Sequence, residues 1–170
     1  MTDSAPPRTL FDFIDPAAVS QWSSIDDRIM GGCSMSRPTH LDGVGMRFHG
    51  TVSLDNNGGF ASIRSANGEY DLSGCTELLV RLRGDGQRYK LSLRTDRYYD
   101  GVSYQTGFAT AQGLWTEVAL PFAACVATHH GQTLTTVAPL DPAGIVSFGL
   151  FIAERQTGPF QLDIAWIRAR

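Results

Sequence analysis

The sequence predicts an all-β fold, an antiparallel β-sandwich or jelly roll with one short N-terminal helix. Three observations carry this. Beyond residue 22 the chain is a succession of short runs with period-two alternation of apolar and polar residues. The runs are punctuated by Gly, Asn and Asp. No segment has the length or 3.6-residue period of a helical crossover, and eight or more strands at this spacing fold as a sandwich.

Taken in order, residues 1–9 (MTDSAPPRT) are polar and expected to be flexible. Asp15 can cap a helix with Pro16 at its first position, running to about Trp22. Residues 51–54 and 60–64 flank DNNGG, whose Asn-Gly step is a hairpin signal. Residues 78–83 and 88–94 flank GDGQ. An Asp-Gly hairpin there would set Arg83 opposite Arg88, Leu82 opposite Tyr89 and Arg81 opposite Lys90. Residues 115–120 end at Pro121, which stops a strand or lies on an edge. Residues 146–152 and 160–167 flank a loop containing Gly158-Pro159.

Alternation then assigns the faces. Val80, Leu82, Tyr89, Leu91, Leu93, Val118, Leu120, Phe148, Leu150, Ile152, Leu162, Ile164 and Trp166 point to the core. Arg81, Arg83, Arg88, Lys90, Arg94, Trp115, Glu117, Phe151 and Asp163 point to solvent.

The totals fit one domain, 1–170, large enough to bury a core without disulfides. With 42% hydrophobic and 18% charged residues, a disordered chain is excluded. A net charge of −3 gives no global attraction to nucleic acid or anionic membrane. No apolar run approaches the roughly 18 residues of a membrane helix. The N-terminal residues lack a secretory or transit pattern. Three cysteines, Cys33, Cys75 and Cys125, are widely spaced and odd in number, which fits a reducing compartment and a cytoplasmic protein.

If the Asp-Gly hairpin holds, four cations oppose one another across two strands, which weakens a sheet by some tenths of a kcal/mol per pair. Glu117 and Asp163 are candidate counter-charges; an acidic partner is the alternative. Trp115 and Phe151 beside these cations suit an interface or sugar stacking. The stretch DDRIMGGCSMS (26–36) lacks the Gly-Lys-Ser/Thr ending of a phosphate loop and reads as a tight architectural loop, with Met30 plugging a core gap and Asp26 and Asp27 free to contact a cation or backbone amides. His40, His49, His129 and His130 have no metal-ligand or triad spacing, and surface roles are expected. The cysteines read as small buried apolar residues. Asp55, Asn56 and Asn57 offer oxygens for calcium but read first as turn residues. Arg83-Gly84-Asp85 spells an integrin tripeptide and is expected to be only a turn. No nucleophile, base and oxyanion donor assemble, so no enzyme, cofactor or metal is expected.

Five motifs in order, W-SSIDDRIMGGCS, NNGGFASIRS, LRGDGQRYKLSLRT, WTEVALPF and LDPAGIVSFGLFIAERQTGPFQLDIAWI, resemble the CIA30 family, the complex I intermediate-associated proteins, from Trp22 to Arg168. The resemblance implies a galactose-binding-like jelly roll, a fold shared with carbohydrate-binding modules. Mitochondrial members of that family are chaperones for respiratory complex I assembly; this chain looks most like the stand-alone bacterial members. The family signature falls on Asp26, Asp27, Met30, Gly31, Gly32, Ser34, Gly58, Gly59, Phe60, Ser62 and Arg64. Two departures stand out: Cys125 replaces a second aromatic, and an aromatic-basic Phe-Arg-Gly-Arg segment stands here as His129, His130, Gly131 and Gln132.

The expected function is therefore a non-catalytic assembly factor or chaperone-like domain. It would bind a protein, an intermediate of a respiratory or photosynthetic membrane complex, through Arg81, Arg83, Lys90, Trp115, Glu154, Arg155 and Gln156. The alternative is a module binding a sugar on the sandwich face.

Overall fold

The computed structural model describes residues 5–27 and 31–170 and shows two antiparallel sheets packed face to face. The strands are β1 (Arg8–Asp12), β2 (Trp22–Ser24), β3 (Met35–Leu41), β4 (Gly45–Val52), β5 (Ala61–Ser65), β6 (Glu77–Arg83), β7 (Arg88–Arg94), β8 (Ser103–Ala109), β9 (Trp115–Pro121), β10 (Val126–His129), β11 (Gln132–Thr133), β12 (Ser147–Ile152) and β13 (Gly158–Ala169). A six-stranded sheet runs β3-β4-β13-β6-β9, with β1 also paired to β13. A seven-stranded sheet runs β11-β10-β8-β7-β12-β5-β2. Within residues 1–9, expected to be flexible, Arg8 and Thr9 are instead strand, paired with Ala169 and Arg168.

The helix α1 (Pro16–Ser20) starts where expected, with the Asp15 side chain accepting from Ala17 N at 2.9 Å. It ends before Trp22, because that residue enters β2 and is buried edge-on against Phe11 and Phe13. Pro121 closes β9 on the edge of its sheet, where a missing N–H is harmless.

The inward residues of both sheets form one core. Leu78, Val80 and Leu82 of β6 meet Leu91 and Leu93 of β7, Phe148 and Leu150 of β12, and Leu162 and Ile164 of β13, all with no exposed area. Burying such a side chain fully stabilises by about 1.5–3 kcal/mol before entropy is subtracted. Edge-to-face pairs, Tyr70–Phe148 and Phe48–Phe160 at 4.9 Å each, add directional packing.

Two expectations are corrected. The segments 51–54 and 60–64 do not pair as a hairpin, nor do 78–83 and 88–94. In each case the first strand belongs to the six-stranded sheet and the second to the seven-stranded one. The turns are arches across the sandwich. At the second arch Asp85 accepts from Gln87 N, Gln161 N and the Tyr89 hydroxyl, locking the crossover. A Cβ on Gly84 would lie 2.1 Å from Thr110 Cβ, so only glycine fits there. The four cations consequently do not oppose one another: Arg81 and Arg83 lie on one sheet, Arg88 and Lys90 on the other.

The second correction is Trp166. The register of β13 against β6 shifts between Ile164 and Trp166. The extra residue, Ala165, is a β-bulge that reverses the alternation. Ile167 and Ala169 take the inward positions and Trp166 turns to the outer face, half-buried.

Candidate functional site

The outer face of the six-stranded sheet collects arginines and tryptophans in adjacent rows. Register places Arg83 between Trp115 and Asp163, with Arg47 beyond Asp163. The next row holds Glu117, Arg81 and Trp166, and Arg168 follows along β13. The guanidiniums lie over the indoles: Arg83 at 4.8 Å and Arg81 at 5.7 Å from the Trp115 ring centre, and Arg168 at 3.8 Å from that of Trp166. The order Arg83, Trp115, Arg81, Trp166, Arg168 is thus a ladder, each rung half-buried.

Asp163 anchors it. The side chain is 1% exposed and accepts from Arg47 Nε at 2.8 Å and Arg83 Nη2 at 2.8 Å. Burial pushes its carboxyl up, but these hydrogen bonds and the two charges outweigh burial and hold it below the usual carboxylate range. Hydrogen bonding to Asp163 raises Arg47 in turn. Burial and the nearby Arg47 and Arg37 push the His49 imidazole down, keeping it neutral at pH 7. Arg37, Arg47, Arg81, Arg83 and Arg168 outnumber Asp12, Glu77, Glu117 and Asp163 on this face, although the whole chain carries −3.

The remaining expected contacts lie with the other sheet. Lys90 Nζ is 3.5 Å from Glu154 Oε1 and 5.5 Å from the Phe151 ring centre, and Arg88 is 3.8 Å from Glu154. Gln156 accepts from Arg88 N at 2.8 Å and donates to Arg88 O at 2.9 Å, which closes the start of β7. Arg155 is exposed, with φ +58. The structure therefore brings Arg81, Arg83 and Trp115 together and leaves Lys90 on the opposite sheet, with Glu154, Arg155 and Gln156 in the loop joining β12 to β13.

The signature residues make a clasp. Asp26 accepts from Ser36 N at 2.8 Å, the Ser36 hydroxyl and Ser62 N at 2.9 Å, tying β3 to β5 across the sheets. Asp27, fully buried, accepts from Ser34 N at 2.9 Å through Oδ1, and from Gly59 N at 2.7 Å and Phe60 N at 3.2 Å through Oδ2. Burial raises the Asp27 carboxyl, but these donors outweigh it and hold the group below its ordinary value. The clasp explains two glycines, because a Cβ on Gly32 or Gly58 would lie 2.4 Å or 2.6 Å from the Asp27 carboxyl group. Gly31 has φ +87. The Ser34 hydroxyl donates to Ser53 O and accepts from Ser53 N, Ser62 donates to Ile25 O, and Arg64 donates to Tyr99 O. Met30 falls outside the described residues.

Sequence reasoning missed Trp166, Arg168 and Arg47. A sign was present for the first two: Ile164 and Ile167 are three apart, which breaks period two and marks a bulge. It also gave Cys33 a buried role, whereas that thiol is exposed; Cys75 and Cys125 are half-buried and all three are free. Among the described residues, Asp100, His129 and His130 form a group with donors suited to a metal. No helix of the described residues is long and apolar enough to cross a membrane.

Solved structures share the fold. A family 11 carbohydrate-binding module of a cellulosomal cellulase from Clostridium thermocellum superposes with a TM-score of 0.71 at 17% identity, covering 98% of this chain and 95% of that one. A family 30 carbohydrate-binding module gives a TM-score of 0.53 at 13% identity, covering 98% of this chain and all (100%) of that one. Identities this low establish the sandwich alone. Among curated relatives, the mitochondrial complex I intermediate-associated protein 30 of Drosophila melanogaster is 23% identical over 93% of this chain, which spans 61% of that protein. Its Neurospora crassa namesake is 24% identical over 93% of this chain and 71% of that protein. The family description "Complex I intermediate-associated protein 30 (CIA30)" matches residues 11–164, and by that match the chain belongs to the CIA30 family.

Proposed function

We propose that this domain is a non-catalytic assembly factor that binds a protein partner through the outer face of its six-stranded sheet. The observation that carries the reading is the Arg–Trp ladder. Tryptophan and arginine dominate binding energy at protein interfaces. Here two half-buried indoles are flanked by guanidiniums, on a face whose cations outnumber its carboxylates. Trp115 and Trp166 would supply apolar anchors. Arg81, Arg83 and Arg168 would set register against acidic side chains. The relatives' name, complex I intermediate-associated protein, supports a partner that is an assembly intermediate of a respiratory or photosynthetic membrane complex.

The test is a pull-down from the native host with Arg81→Glu and Trp115→Ala, singly and together. Each is expected to weaken capture of the acidic partner by at least about 30-fold, the scale of a 2 kcal/mol hot spot. Lys90→Glu, on the opposite sheet, is expected to leave capture intact. Retained capture by the folded double variant, or loss with Lys90→Glu alone, would refute the assignment of the face.

A further inference from the structure

Asp100 lies on the loop joining β7 to β8, while His129 ends the β10 strand and His130 begins its hairpin turn to β11. Consecutive strand residues normally point to opposite faces. Here the two imidazole rings sit with centroids 4.1 Å apart. The turn explains it. His129 pairs with Gln132 across the hairpin, and the two residues between them have φ +50 at His130 and φ +75 at Gly131. A left-handed backbone is uncommon at a residue with a Cβ, and at His130 it coincides with a ring lying beside that of His129.

Asp100 meets both rings. His130 Nε2 lies 2.8 Å from its Oδ2 and His129 Nε2 lies 3.9 Å from its Oδ1. All three donors fall within 4.8 Å of one another. The backbone on either side of Asp100 is pinned from beneath: Arg64 donates to Tyr99 O at 3.0 Å and Arg94 to Gly101 O at 2.9 Å. Both guanidiniums are part-buried on the outer face of the seven-stranded sheet. Two arginines thus hold the residues flanking one exposed carboxylate, and a tight turn holds both imidazoles against it.

We propose that Asp100, His129 and His130 form a binding site for a divalent transition metal of the zinc class. Zinc bonds of about 2.0–2.1 Å in a tetrahedron separate neighbouring donors by about 3.3 Å, and the observed 2.8 Å and 3.9 Å bracket that spacing. Two imidazoles and one carboxylate suit such a metal and disfavour calcium or magnesium, which take oxygen donors. Three protein ligands leave a fourth position for water or for a donor from a bound partner. His130 Nε2 lies within hydrogen-bond distance of both Asp100 carboxylate oxygens and His129 Nε2 lies 3.2 Å from the Asp100 carbonyl oxygen, so both rings already turn Nε2 toward one residue, which is the preorganisation a metal would use.

The experiment uses the full chain without an affinity tag, titrated with Zn²⁺ by calorimetry and with Co²⁺ by visible absorption. One equivalent per chain and a tetrahedral Co²⁺ spectrum are expected. His129→Gln, His130→Asn and Asp100→Asn should each weaken binding by more than the roughly 10–100-fold that loss of an outer-sphere partner costs. Asparagine is chosen at 130 because it tolerates the left-handed backbone. His40→Gln and His49→Gln should bind as the parent does, and all five variants should melt like the parent in chelator. Absence of saturable binding, or binding that survives both His129→Gln and His130→Asn, would overturn the site. No residue is shared with the Arg–Trp ladder, so the two proposals fail independently.

Discussion

Replacing Asp27 by asparagine tests whether the family signature is a structural clasp. Its two oxygens satisfy three backbone amides, Ser34 N on one side and Gly59 N with Phe60 N on the other. Asparagine keeps a single acceptor oxygen. Oriented toward residues 59 and 60, it turns its own NH₂ against Ser34 N, donor facing donor, in a site with no exposed area. One stranded amide costs about 1–3 kcal/mol, and the remaining bonds lose their charge assistance, so the total is about 2–4 kcal/mol. For a domain of this length each kcal/mol moves Tm by about 2–4 °C, giving a fall on the order of 5–15 °C in a calorimetric melt at pH 7. The pH profile supplies a second readout. The folded carboxyl lies below its unfolded value of about 3.9, so its stabilisation is present above that pH and lost as pH falls through the folded value. The gap between parent and variant should therefore close in acid. A variant melting within about 2 °C of the parent at pH 7, or a gap that fails to narrow as the pH is lowered below about 3.9, would refute the reasoning.

Other outcomes follow from the same geometry. Asp163→Ala leaves Arg47 and Arg83 without their shared acceptor; because both are about a third exposed, water softens the loss to about 2–3 kcal/mol, read as a lower denaturation midpoint at unchanged slope. Gly84→Ala forces a methyl onto Thr110 Cβ and Oγ1 and should cost about 1–3 kcal/mol, read as a lower denaturation midpoint. Burial pushes the Cys125 thiol up to about 11, so disulfide reagents at pH 8 should modify exposed Cys33 well before Cys125. Titration with a glycan panel should leave tryptophan fluorescence unchanged, since Trp115 already stacks with Arg81 and Arg83; saturable quenching by one sugar would favour the sugar-binding alternative.

The inner faces were legible because burial imposes period two on every strand: Leu91, Leu93, Phe148 and Leu150 face the core as alternation requires. Pairing was not legible. A hairpin and an arch both keep Leu82 and Tyr89 on the inside, so the pattern says which side chains are buried and not which sheet receives the next strand. Asn-Gly and Asp-Gly steps serve either connection. Alternation counted forward from Leu162 puts Trp166 inside, whereas counted back from Ala169 it faces outward, and the two counts meet at the bulge. Asp100 is invisible beside His129 in the sequence because they are 29 positions apart and only the pairing of β8 with β10, Ser103 opposite Thr128, brings them together.

The longest strand, β13, lies in the middle of its sheet, flanked by β1, β4 and β6, though it is the last strand of the domain to leave the ribosome. Until residues 158–169 emerge, β4 and β6 expose unpaired edges that are open to any passing strand. The six-stranded sheet is therefore completed only by the domain's last strand, through contacts with β4 and β1 more than a hundred residues away in the chain.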